Sequence, residues 1–160
     1  MNVYTVSFFG HREIENFSEI EERLTDIVRN IIKNNDYVKF LVGRNGEFDW
    51  LASAVISRVI HGYHNSYTVL VLPYMKASYR DHRQNFECCY NEVEICPESS
   101  SAHYKSAIQI CNRSMIDRSD LVVCCIQHNS GGAYKTVQYA IKQNKKIVNI
   151  AEQKGLKLYD

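Results

Sequence analysis

Apolar residues in this chain follow two rhythms. Short, nearly unbroken runs occur at Val3–Phe9, Val38–Val42, Thr68–Leu72, Leu121–Ile126 and Lys146–Ile150. Most end in a breaker: Gly10 after the first, Gly43 after the second, Pro73 after the third. Runs of this length, rich in β-branched and aromatic residues, predict strands buried on both faces. Between them the spacing changes to three and four residues. Ile20, Leu24, Ile27, Val28, Ile31 and Ile32 form one stripe, opened by a capping-box pattern of Ser18 and Glu21 and closed by Asn34-Asn35-Asp36. Leu51, Ala52, Val55, Ile56, Val59 and Ile60 form a second stripe. Ala107, Ile108, Cys111, Met115 and Ile116 form a third, and Val137, Ala140 and Ile141 a fourth.

Alternating strands and helices predict an α/β fold: a Rossmann-like, doubly wound, mostly parallel five-stranded sheet with helices on both faces. The whole chain, residues 1–160, is expected to form one domain. One stretch breaks the rhythm. Tyr74–Tyr104 is 31 residues long, shows no core stripe, and is rich in Tyr, Arg, His and Glu. A connection of that length reads as an insert or lid, with a short helix around Arg80–Tyr90. Tyr79, Arg80, Glu87, Glu92 and Glu94 would then cover a ligand, face solvent or contact another protomer.

Composition narrows the picture little. The chain is 45% hydrophobic and 23% charged, ordinary for a globular protein. Its net charge of +1 supplies no whole-protein field for nucleic acid, which is therefore not expected as a partner. No apolar run reaches membrane-spanning length, and no secretion signal is expected. The six cysteines include the adjacent pairs Cys88-Cys89 and Cys124-Cys125 but no CxxC. Reduced thiols of a cytoplasmic protein are the plain reading, with some reactive role open to Cys88, Cys89 or Cys96. Neither a metal ion nor a cofactor is expected.

Ligands of open α/β sheets bind beyond the carboxyl ends of the strands, where strand order reverses. The residues after the strands therefore form the candidate site: Gly10-His11-Arg12, Gly43-Arg44-Asn45-Gly46, and the loop from Gln127 to Gly132. Five of the seven glycines fall in these loops. Glycines allow close backbone approach, helix N-termini offer N–H groups to an anion, and Arg12 and Arg44 suit phosphate. The expected ligand-binding set is Gly10, His11, Arg12, Gly43, Arg44, Asn45, Gly46, Asp49, Ser130, Gly131 and Gly132. No GxGxxG or P-loop lysine signature is present. His11 is open to two roles, contact with ligand or a hydrogen bond to a neighbouring loop. Asp49 caps the second helix or accepts from a ribose hydroxyl. Arg113 and Arg118 read as solvated, and Trp50 as packing.

Four segments in order resemble the SLOG superfamily: Phe8 to Arg12, Gly43 to Asp49, Cys111 to Asp120, and Gly131 to Lys135. They are most similar to its YpsA-like branch of small stand-alone proteins. SLOG proteins are Rossmann-like. They include cytokinin-activating phosphoribohydrolases, DNA-processing proteins, and sensors of NAD-derived or nucleotide signals in bacterial defence. The resemblance implies a nucleotide-derived ligand and points towards a homo-oligomer. The phosphoribohydrolase branch carries PGGxGTxxE, whose glutamate takes part in hydrolysis. Here Tyr134 and Lys135 replace the Gly-Thr pair, and Gln138 stands in the glutamate's place. An amide is no carboxylate base. The expectation is a sensor or sequestering protein, in phage or bacterial defence for example, with no catalytic residue. The alternative is a nucleoside-monophosphate phosphoribohydrolase.

Overall fold

A computed structural model describes residues 2–152 and 158–159. The strands are β1 (Val3–Gly10), β2 (Tyr37–Val42), β3 (Ser66–Leu72), β4 (Glu92–Ile95), β5 (Leu121–Cys125), β6 (Lys146–Asn149) and β7 (Leu158–Tyr159). The helices are α1 (Phe17–Lys33), α2 (Glu47–Ile60), α3 (Ala77–Asp81), α4 (Arg83–Glu87), α5 (Tyr104–Asp117) and α6 (Gly131–Lys142). One sheet runs in the order β4-β3-β2-β1-β5-β6-β7. The first six are parallel neighbours, and β7 pairs antiparallel to β6. The chain lays β1 to β4 outward in one direction, then returns to place β5 on the other side of β1. The switch point is the β1–β5 seam.

Alternation along each strand feeds two cores. Phe8, Val123 and Cys125 enter the layer under α1 and α2, where Phe40, Phe48, Leu24 and Ile56 pack. Phe9, Val122 and Cys124 enter the opposite layer with Cys111, Met115 and Val137 of α5 and α6. The adjacent cysteines of β5 thus face opposite sides, and burial pushes both thiols up, that of Cys125 to about 12. All six cysteines are free. Among the described residues, no helix is long and apolar enough to cross a membrane.

Among the described residues the sheet has two more strands than expected. The five predicted runs are present, and β4 lies inside the long segment. Its sequence, Glu-Val-Glu-Ile, is a half-exposed edge strand and lacks an apolar run. The segment also has a core role: α3 and α4 replace the single expected helix, and Tyr79 and Phe86 are buried edge-to-face at 5.4 Å. Glu92 and Glu94 belong to β4, where Glu94 takes a two-pronged grip from Arg118, one contact at 2.9 Å. Arg118 is therefore paired rather than solvated. Arg113 stacks over Tyr139 at 5.2 Å. The Ser18–Glu21 capping box does not form, because α1 begins two residues earlier than that cap requires, at Phe17, after Asn16 in the left-handed region (φ 57°). Glu21 instead accepts from Arg58 at 3.0 Å, tying α1 to α2.

Candidate functional site

The loop after β1 is fixed from both sides. Glu47 N–H donates to the Arg12 carbonyl (2.9 Å), and Ile14 N–H donates to the Glu47 carboxylate (2.8 Å). Gly46 makes that docking fit, since a Cβ there would sit 2.4 Å from Arg12 Cα. Across the seam, Glu15 N–H donates to Gln127 Oε1 and Gln127 Nε2 donates back to the Glu15 carbonyl, both at 2.8 Å. His128 N–H reaches His11 Nε2 at 3.4 Å, and the two rings stack with centroids 3.7 Å apart, tilted by only 10°.

His11 thus bonds the neighbouring loop, the second of its two roles, and also lines the cavity described below. Its Nε2 accepts, so the neutral ring carries its proton on Nδ1. Burial, then the proximity of His128, lowers its pKa from 6.5.

These loops enclose a cavity of about 580 Å³ at the switch point. Of the predicted residues, Gly10, His11, Arg12, Gly43, Asn45, Asp49, Gly131 and Gly132 line it. Arg44, Gly46 and Ser130 do not. Arg44 turns away to stack on Phe86 at 4.3 Å. Gly46 is covered by Arg12, and Ser130 Oγ hydrogen-bonds His128 Nδ1 at 2.9 Å. Gly131 opens α6 at φ 89°, a backbone conformation glycine adopts freely.

One wall is absent from the expected set. Lys105, Ile108, Gln109 and Asn112 of α5 line the cavity, and so does His128. The α5 residues share one helical face by their spacing, beside the buried stripe of Ala107, Cys111 and Met115. That second, largely polar stripe was the available signal. Gln109 Nε2 donates to the Gly132 carbonyl at 3.2 Å, and Asn112 Nδ2 to Thr136 Oγ1 at 3.0 Å, so α5 is keyed to the start of α6.

Asp49 is the site's buried carboxyl. It accepts from Asn45 N–H at 2.8 Å, reaching back over the start of α2. Burial pushes it up to about 6, held back by the Asn45 bond and the charge of Lys76. Arg12, Arg44, Lys76 and Lys105 form no close ion pair with a carboxylate among the described residues. Lys76 is lowered by burial and by Arg44. Trp50, read as packing, is 63% exposed in the first turn of α2.

No family model matches the chain, and no curated protein matches it. Solved structures do. DNA processing protein A (DprA) from Streptococcus pneumoniae superposes with a TM-score of 0.63 at 12% identity, over 91% of this chain and 49% of that one. DNA processing protein A from Helicobacter pylori, described for its single-stranded DNA binding mode, gives 0.61 at 18% identity, over 90% of this chain and 63% of that one. This chain therefore spans about half of the first protein and under two thirds of the second. The likeness overturns the exclusion of nucleic acid, because the same fold serves a protein that binds single-stranded DNA. The exclusion rested on net charge, which averages out the four cations gathered at one sheet edge. Nothing in the comparisons bears on the YpsA-like branch. What they establish is the fold, the Rossmann-like α/β arrangement that DNA processing protein A also carries.

Proposed function

We propose that the protein binds a phosphate-bearing nucleotide unit in the switch-point cavity and holds it without cutting it. The carrying observation is the convergence of Arg12, Lys105 and the glycine-rich start of α6 on one cavity. A guanidinium and an ammonium in no close ion pair among the described residues, beside the N-terminus of a helix, suit a phosphate. Apolar Phe8, Phe9 and Ile108 beside polar Asn45, Gln109 and Asn112 suit a nucleoside. Likeness to a single-stranded DNA binder supports a nucleotide ligand. Capture without turnover is what a sensor or sequestering protein does, and Gln138, in place of a carboxylate, agrees with it.

Nucleoside monophosphates at about a hundredfold excess over Kd are expected to raise the melting temperature by about 5 °C or more. Arg12→Ala should fold normally and weaken binding about tenfold or more, as loss of a charge-assisted hydrogen bond does. A flat melting curve with every nucleotide would end this reading.

A second reading, N-glycosidic hydrolysis, is favoured by one observation. Asp49 lines the same cavity and titrates near 6, within the range of a general acid or base. Chromatography of the incubated nucleotides separates the two readings. Intact ligand supports capture, and free base that disappears with Asp49→Asn supports hydrolysis.

A further inference from the structure

The described residues include six large apolar side chains exposed to solvent. Four of them, Phe17, Trp50, Met75 and Tyr104, belong to the connections and helix starts that follow the carboxyl ends of the strands. Trp50 and Tyr104 are the most exposed, at 63% and 61%. Each follows or precedes a cavity-lining residue directly: Trp50 adjoins Asp49, and Tyr104 adjoins Lys105. They belong to α2 and α5, which pack on opposite faces of the sheet. Two solvated rings thus stand on helices that supply cavity-lining residues from opposite faces of the sheet. The His103 ring braces Tyr104 at 4.6 Å.

The same edge carries Arg12, Arg44, Lys76 and Lys105, none in a close ion pair among the described residues. Arg44 is held over Phe86, and Lys76 is half-buried beside it, so these two cations are positioned and not freely solvated. A free nucleotide has one base and fills the cavity at most. Two exposed rings outside the cavity lining, on the same sheet edge as the four cations, match a ligand with several bases joined by phosphates. A peptide partner would leave the four cations unanswered unless it were acidic, and an acidic peptide has no use for the rings.

We infer that the ligand is a stretch of single-stranded nucleic acid, with one nucleotide in the cavity and its neighbours stacked on Trp50 and Tyr104. Sequence-tolerant stacking beside a cationic track is how single strands are held. This rests on the nucleotide reading of the cavity and adds the chain on either side of it.

Trp50 is the only tryptophan of the chain, so its emission reports stacking directly. Wild-type protein is titrated with dAMP and dTMP, and with deoxyoligonucleotides and ribo-oligonucleotides of about six residues carrying the same bases. The oligonucleotides are expected to quench the emission and to bind at least about tenfold more tightly than the monophosphates, the scale of one stacked base. Trp50→Ala and Tyr104→Ala, read by anisotropy of a labelled oligonucleotide, should each lose about tenfold on the chain and nothing on the monophosphate. The tighter of the two sugar series identifies the strand as DNA or RNA. If monophosphate and oligonucleotide bind equally with unchanged emission, the inference falls and the nucleotide reading stands. If neither binds, both fall.

Discussion

Gly10→Ala is expected to be among the most damaging single-methyl changes in this protein. A Cβ at residue 10 would lie 2.2 Å from Phe48 Cγ and 2.5 Å from two further Phe48 carbons. Phe48 is fully buried in the α1–α2 layer, so it has no room to retreat. Overpacking of this kind costs about 1–3 kcal/mol and sometimes more, which lowers the melting temperature by about 3–10 °C. The glycine is thus required by close approach. Because Gly10 and Asp49 both line the cavity, the same substitution should weaken nucleotide binding. Phe48→Leu in the Gly10→Ala background should recover part of the loss, and a thermodynamic cycle over the two sites should show favourable coupling. A Gly10→Ala protein that melts within a degree of wild type would mean that β1 and α2 do not meet this tightly.

Asp49→Asn is expected to do the opposite and stabilise the protein at neutral pH. The folded state raises this carboxyl from 3.8 to about 6 by burial. The folded protein therefore binds a proton more readily than the unfolded chain between those values. Stability falls as pH rises through that window, and the full penalty stands above it. The gap corresponds to about 3 kcal/mol at most. An asparagine keeps an oxygen to accept from Asn45 N–H and carries no charge to desolvate. Its melting temperature should exceed wild type by several degrees at pH 8, with the difference shrinking towards zero near pH 4. A difference that is equal at both pH values would show that burial of the charge is not the cause. Retaining so unfavourable a carboxylate in a cavity wall fits a group kept for ligand contact at the expense of stability.

The strands that carry the site were legible because burial on both faces leaves a plain mark. Val3–Phe9 and Leu121–Ile126 show it without help from context. The edge strand β4 was not legible, since two of its four residues are glutamates and its partner Arg118 is remote in sequence. Loop positions told which residues lie near the switch point but not where their side chains go. Arg12 and Arg44 look equivalent in sequence, yet only Arg12 lines the cavity, because Phe86 of α4 takes the Arg44 guanidinium. The α5 wall was missed for a related reason. Its helix was read for the apolar stripe that holds it down, which left Lys105, Gln109 and Asn112 on the neighbouring face without a role.

The seam beneath the cavity also has a kinetic meaning. Strands β2, β3 and β4 each pair with the strand laid down before them. Strand β5 must return to β1, and the bond from Thr5 N–H to the Asp120 carboxylate that anchors this return spans 115 positions. Loop closure over such a span comes late in folding. His11 stands on one side of the seam and His128 on the other, so the cavity exists only once that closure is complete. A nascent or clipped chain ending before β5 would hold half of a sheet and no receptacle at all. Binding competence therefore requires this long-range join, and an occupied cavity would stabilise it.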